Sequence, residues 1–253
     1  MSLLNVQRDG SGPILVWLHG FTQTRLSAHR FRSILAGGHE VWTMDLPGHG
    51  VHHELRCSLN EVADLVAEVL PDVPVDLGGY SFGGRVAMHV ALRRRARVRR
   101  LVLVGASRGI ADPAQRAARR ERDELLAQRI ERIGTDAFLE EWLAQPLFAT
   151  LGPDIAERRA RSSEPLGLAS SLRLAGTGTQ EWLGPALSTL HAPVLALAGQ
   201  WDHKFTAEAE GIAHDALHGR AATITEAGHA AHLEKPIETA LLVEEFLAEG
   251  LPT

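Results

Sequence analysis

The chain has 253 residues, 45% hydrophobic and 23% charged, a balance that suits a soluble globular protein with a large buried core. A net charge of −5 and a pI near 6.2 argue against a general nucleic-acid or anionic-membrane binder. The single cysteine, Cys57, excludes an intramolecular disulfide. With no signal-like N-terminal stretch and no apolar run of bilayer length, the expected location is cytoplasmic, without membrane insertion.

Residues 2–8 carry only a faint pattern, read as a first edge strand. Pro13-Ile14-Leu15-Val16-Trp17-Leu18 is a continuous apolar run, as for a strand buried on both faces, and it enters the loop His19-Gly20-Phe21-Thr22. A helix over 28–35 separates it from a second strand, Glu40-Val41-Trp42-Thr43-Met44, which ends in the turn-rich Asp45-Leu46-Pro47-Gly48-His49-Gly50. Ser58-Leu59-Asn60-Glu61 has capping-box spacing and opens a helix that runs to Leu70, with Pro71 stopping it. A short strand over 73–78 and a helix over 84–92 then flank Gly79-Tyr80-Ser81-Phe82-Gly83. A further strand spans 100–105. From about 111 to 190 no strand pattern occurs; helices are predicted over 114–133, 135–144, 154–161 and 166–175. The alternation resumes with a strand over 193–199, a helix over 207–217, a strand over 222–225 and a helix over 236–248.

Alternating strands and helices predict an α/β fold with a mostly parallel central sheet flanked by helices. The core is expected from 1–108 and 191–253, with 109–190 an all-helical cap over the site. Ligands on such sheets bind beyond the carboxyl ends of the strands.

Strand, Gly-x-Ser-x-Gly and helix form the context of a nucleophile elbow, in which a strained turn lifts the serine oxygen above the sheet. A serine hydroxyl is a poor base and nucleophile near neutrality, so it needs an imidazole and a carboxylate that orients it. In this topology the chain order is Ser, acid, His. His229 follows the last strand in Glu226-Ala227-Gly228-His229, whereas His232 lies toward the next helix; Asp202 follows the strand over 193–199. The expected catalytic set is Ser81, Asp202 and His229. Backbone amides of Phe21 and Phe82 are placed to form an oxyanion hole, and His19 is assigned a buttressing role.

Arg85 lies one helical turn beyond Ser81 and either receives a substrate carboxylate or joins a structural ion pair. The basic run at 93–100 reads as a solvated face near a helix end. Trp17 and Trp42 are expected to pack in or beside the sheet, and Cys57 to be a packing residue.

These marks resemble the α/β-hydrolases, and within them the chain is similar to the 2-succinyl-6-hydroxy-2,4-cyclohexadiene-1-carboxylate synthase family of menaquinone biosynthesis. The more specific residues are Gly79 to Arg85, Ala117-Ala118-Arg119 with Asp123, Trp142 with Gln145-Pro146-Leu147-Phe148-Ala149, Arg161-Ser162, Gly176-Thr177-Gly178-Thr179-Gln180 and Asp202-His203-Lys204-Phe205. The resemblance implies elimination of pyruvate from 2-succinyl-5-enolpyruvyl-6-hydroxy-3-cyclohexene-1-carboxylate, a tricarboxylate, with the triad acting as base and no metal or organic cofactor. It also implies that Arg85, Arg119 and Arg161 bind substrate carboxylates, beside Tyr80 and Trp142. Two alternatives remain at this point: a hydrolase of esters, thioesters or carbon–carbon bonds with Ser81 as covalent nucleophile, and a binding protein without turnover.

Overall fold

The computed structural model describes residues 3–251, so Ser2 of the expected first strand lies outside the described residues. In chain order the elements are β1 (Gln7–Gly10), β2 (Ile14–Leu18), α1 (His29–Leu35), β3 (Glu40–Thr43), α2 (Leu59–Val69), β4 (Val75–Tyr80), α3 (Phe82–Arg93) and β5 (Val98–Val104). There follow α4 (Pro113–Leu143), α5 (Ile155–Arg159), α6 (Pro165–Ala175), α7 (Gly184–Leu187), β6 (Val194–Gly199), α8 (His203–Asp215), β7 (Gly219–Ile224), α9 (Ala231–Glu234) and α10 (Pro236–Ala248).

The sheet order is β1-β3-β2-β4-β5-β6-β7, with β1 antiparallel to β3 and the other pairings parallel. Strand β2 shows why both faces are covered. Val16 and Leu18 join a core with α2, α3 and α8, while Leu15 and Trp17 join a second core with α1 and α10. Alternate residues of a strand point to opposite faces, so a continuously apolar strand requires helices on both. After β2 the chain turns to β3 on one side, then crosses to β4 on the other. The crevice at the carboxyl ends of β2 and β4 is therefore the switch point where such sheets admit a ligand.

Local signals hold where they rest on a specific bond. Ser58 caps α2, and Glu61 completes the reciprocal box from its side chain to the Ser58 amide. Trp17 and Trp42 are buried in their strands, and Cys57 packs at the margin of the core. The helix pattern divided at residue 134 becomes one long element interrupted there: Gly134 has φ 76° and ψ 170°, outside helical geometry. Several boundaries move: the edge strand expected over 2–8 is β1 at Gln7–Gly10, and β7 begins at Gly219 rather than 222, while two other shifts have a specific cause. Strand β4 runs on through Gly79 and Tyr80, because the parallel ladder to β5 continues to Val104. Helix α8 begins at His203, since Asp202 caps it by accepting the Phe205 amide.

The basic run at 93–100 is not uniformly a solvated face. Arg93 and Arg94 pair with Asp64 at the surface, but Arg100 lies inside β5, buried, with its Nη1 3.7 Å from the buried Asp76. Arg99, beside it in β5, stays partly exposed and shares the same carboxylate, whereas the buried Arg100 needs Asp76 to offset its desolvation.

Between β5 and β6 the chain builds only helices and turns. This insertion has a core of its own, in which Ala127, Ile130 and Phe138 from α4 meet Leu168, Ala169 and Leu172 from α6, and Phe21 and Trp142 pack at its edge. Among the described residues no helix is long and apolar enough to cross a membrane.

Candidate active site

Ser81 sits between β4 and α3 with φ 49° and ψ −103°, a conformation that residues with a Cβ rarely adopt. The turn is held by Ser81 N donating to Val104 O at 2.8 Å. Its glycines are there because nothing larger fits. A Cβ on Gly79 would stand 2.5 Å from the Gly83 carbonyl carbon, and one on Gly83 would stand 2.2 Å from Leu18 O. The serine side chain is left partly exposed at the head of α3, whose first amides have no intrahelical acceptor.

The loops after β6 and β7 bring the other two groups to it. Gln200 N donates to Ile224 O and Trp201 N to Ala227 O, both at 2.9 Å, so the two loops are tied together. Glu234 then fixes the His229 backbone from the other side, accepting Gly228 N at 2.8 Å and Ala230 N at 3.1 Å. The result is a continuous chain of hydrogen-bonding groups. His229 Nδ1 donates to Asp202 Oδ2 at 2.7 Å, and Nε2 lies 3.3 Å from Ser81 Oγ. Because a carboxylate can only accept, it holds the proton on Nδ1 and leaves Nε2 as the acceptor facing the serine. His229 and Asp202 are buried.

Aromatic rings wall the imidazole. Phe205 is 4.4 Å away, Tyr80 5.3 Å and Phe148 5.9 Å between ring centroids. Trp142 continues this wall, edge-on to Phe21 at 5.3 Å and near Phe148 at 5.8 Å. Tyr80 also covers His232 at 4.2 Å. Neither ring nitrogen of buried His232 has a hydrogen-bond partner, so it is a packing ring rather than a rival base. His19 links two loops: Nδ1 donates to Gly20 O at 2.9 Å and Nε2 accepts Leu46 N at 3.0 Å. Burial holds its pKa below the usual histidine value, and both ring nitrogens are already occupied.

The arginines differ in how they are neutralised. Arg85 is buried; its Nη1 donates to Ala175 O at 2.9 Å and to Gln180 Oε1 at 3.3 Å, and its guanidinium lies over Phe82. Burial, reinforced by Arg119, pulls its pKa down to about 9. Arg161 is also buried, with Nη1 on Thr22 Oγ1 at 2.7 Å and Nε without a partner. Burial lowers its pKa as well, against the attraction of Glu157. Arg119 is instead half-exposed and paired through Nε with buried Asp123 at 2.7 Å. Gln180, which carried no role in the sequence beyond its place in a motif, ties Arg85 to the β5 loop by donating to Ser107 O at 3.2 Å.

Two clefts adjoin these groups. One of about 1440 Å³ reaches Arg161 and His232, and another of about 770 Å³ reaches Ser107, Arg119 and Lys204. Neither has Ser81, Asp202 or His229 in its walls.

Residues 15–240 match the Alpha/beta hydrolase family. The 2-succinyl-6-hydroxy-2,4-cyclohexadiene-1-carboxylate synthase of Yersinia pseudotuberculosis is 33% identical over 251 residues, covering 95% of this chain and 89% of that protein. Among solved structures, MenH from S. aureus superposes with a TM-score of 0.89 at 29% identity, covering 98% of each chain. A thermophilic esterase from Thermogutta terrifontis shares the fold at a TM-score of 0.84 and 24% identity, covering 96% of this chain and 92% of that one. The esterase likeness, at 24% identity, shows the fold alone, whereas 33% identity over 95% of the chain shows the family: it belongs to the 2-succinyl-6-hydroxy-2,4-cyclohexadiene-1-carboxylate synthase family of α/β-hydrolases.

Proposed function

We propose that this protein eliminates pyruvate from 2-succinyl-5-enolpyruvyl-6-hydroxy-3-cyclohexene-1-carboxylate, with Ser81 as the base and His229 and Asp202 activating it. One observation carries the reading beyond a generic serine enzyme. Arg85 and Arg161 are both buried, and among the described residues neither has a carboxylate in ion-pair contact; Asp123 attracts Arg85 and Glu157 attracts Arg161 only from farther off. A buried cation with no carboxylate in contact is costly, and a substrate bearing three carboxylates can supply that contact. A neutral ester would leave that cost standing. Arg119 offers its outer nitrogens to a third carboxylate while Asp123 holds its Nε. Tyr80 and Trp142 supply flat apolar contacts, and residues 109–190 act as the cap. Chemistry on a small anionic substrate, with a single cysteine in the chain, fits a cytoplasmic setting.

The steps balance without water or an acyl-enzyme. The ring proton beside the succinyl carbonyl passes to Ser81 Oγ, whose own proton moves to His229 Nε2, and Asp202 stabilises the imidazolium. The electron pair moves onto the carbonyl oxygen, where the Phe21 and Phe82 amides donate to it. Its return forms a double bond from the succinyl-bearing carbon into the ring, the existing ring double bond shifts by one position, and the C5–oxygen bond breaks; the enolpyruvyl group leaves as the enolate of pyruvate and takes up the proton held on His229. The test is a coupled pyruvate assay with the authentic substrate. Pyruvate release by the wild-type protein, abolished in Ser81→Ala and His229→Ala, is expected. Rapid hydrolysis of a nitrophenyl ester with no pyruvate release would make the protein an esterase instead.

A further inference from the structure

Loop 20–28 follows β2 and carries the Phe21 amide. It is braced mainly from the helical insertion. Ser162 N donates to Thr22 O at 2.8 Å and Arg161 Nη1 to Thr22 Oγ1 at 2.7 Å, while Thr24 Oγ1 and Ser27 Oγ donate to Ala160 O at 2.5 and 3.2 Å. The brace answers a strain. Thr22 and Ala28 have φ of 67° and 57°, in the left-handed region that is costly for a residue with a Cβ, and most so for a β-branched one.

Inside this seam, one pair of side chains bears directly on the direction of the Phe21 N–H. That amide shares a rigid peptide plane with the Gly20 carbonyl and points opposite to it. The Gly20 carbonyl accepts Gln23 N at 3.1 Å and His19 Nδ1 at 2.9 Å. On the preceding peptide, Gly20 N donates to Gln23 Oε1 at 2.9 Å. Gln23 therefore grips both peptides that meet at Gly20. Its own amide is held by Glu157 in the middle of α5: Gln23 Nε2 donates to Glu157 Oε1 at 3.4 Å, and Ala28 N donates to Glu157 Oε2 at 2.8 Å. Gln23 is fully buried, so no solvent rearrangement can replace these bonds cheaply.

We propose that Gln23 and Glu157 are positioning residues for the oxyanion hole: Glu157 reaches from the insertion to orient the Gln23 amide, and Gln23 aims the Phe21 N–H. This rests on the reading of the Phe21 amide as an oxyanion donor. Its consequence is that the insertion does more than cover the site. Moving 157–162 away from the loop releases the very peptide that receives the developing charge.

The donor and acceptor inventory supplies a decisive test. In Gln23→Glu the donor to Glu157 is lost and two carboxylates face each other. In Glu157→Gln one of the two donors, Gln23 Nε2 or Ala28 N, is left facing an NH₂. In the double variant Gln23→Glu/Glu157→Gln every bond is restored with the polarity reversed: Gly20 N and the amide nitrogen introduced at position 157 both donate to the carboxylate now at 23, and Ala28 N donates to the carbonyl oxygen now at 157. Each single variant is expected to lose about 10–100-fold in kcat with KM within about twofold, short of the loss from deleting an oxyanion donor outright. The double variant is expected to recover kcat to within about threefold of wild type. Thermal midpoints measured beside the kinetics identify any variant that loses activity by unfolding.

Singles that stay folded and keep wild-type kcat overturn the proposal, as does a loss confined to KM, or a double variant that regains its midpoint but not its kcat. If wild-type protein releases no pyruvate, the functional reading fails separately. The same comparison is then made on nitrophenyl-ester hydrolysis, whose tetrahedral intermediate calls on the same two amides, and the same outcomes decide it.

Discussion

The carboxylate of Asp202 serves two partners at once: Oδ2 lies 2.7 Å from His229 Nδ1, while Oδ1 accepts the Phe205 amide at 3.3 Å and caps α8. An aspartate at a helix start and an aspartate behind a histidine are two ways to account for the same residue, and here both hold. The cap fixes the carboxylate that fixes the imidazole. Asp202→Asn retains an oxygen for the Phe205 amide but can stabilise the wrong imidazole tautomer. Turnover is expected to fall on the order of 10⁴-fold, the scale seen when a serine-protease triad carboxylate is replaced, with folding stability changed by no more than about 1 kcal/mol. Steady-state kinetics and urea unfolding of the same preparation check the two halves.

Removing Arg85 should weaken transition-state binding rather than folding. For Arg85→Ala, kcat/KM on the tricarboxylate is expected to fall by about 1.5–3 kcal/mol, the range for a hydrogen bond to a charged group. Because Arg85 also holds Ala175 O and Gln180, a thermal midpoint is needed beside the rate. An unchanged kcat/KM would assign the guanidinium to structure alone.

Arg161 separates stability from function more sharply. Arg161→Met retains an apolar stem of similar length and removes a buried charge that has no carboxylate contact. In the free protein the lost Thr22 bond opposes the gain from removing a buried charge, so the thermal midpoint is expected to change little, while KM for the substrate rises at least about tenfold, as for the loss of one charge-assisted contact. Calorimetry and kinetics on one preparation would show whether KM moves without the midpoint.

His232 makes acid stability measurable at one residue. Burial pushes its pKa down to about 3, with repulsion from His229 and Arg161 adding to the effect. The folded protein therefore keeps the ring neutral, while the unfolded chain protonates it below about 6.5. In the window from about 6.5 down to 3 the unfolded state binds the extra proton, so stability falls as pH falls, at up to about 1.4 kcal/mol per pH unit. His232→Phe keeps an aromatic ring beside Tyr80 and should lessen that slope by close to one proton between pH 6.5 and 4. Residual slope is expected from His49, also buried with a pKa of about 3. Urea titrations across that range measure it.

Much of the architecture was legible before any coordinates because it depends on neighbours in the chain. The apolar runs of β2 and β5, the Ser58 capping box, Pro236 opening α10 and the glycines around Ser81 each state a local requirement that few other arrangements meet. The order Ser, acid, His likewise placed Ser81, Asp202 and His229 among 13 histidines and 31 acids. Boundaries moved where a partner strand or a capping side chain extended an element, as in β4 and α8.

The chain alone thus determined the layer order of the fold and the three residues at the carboxyl edge of the sheet, because turn chemistry and hydrophobic period act over a few residues. Only the tertiary structure decided which cations lie buried without an acid. Arg85, Arg119 and Arg161 are indistinguishable as letters, and it took packing to pair Arg119 with Asp123 and to leave the other two open. It alone brought Glu157 to Gln23 across 134 residues. Desolvation and hydrogen bonding between distant segments depend on what surrounds a group in space, and no local pattern encodes that.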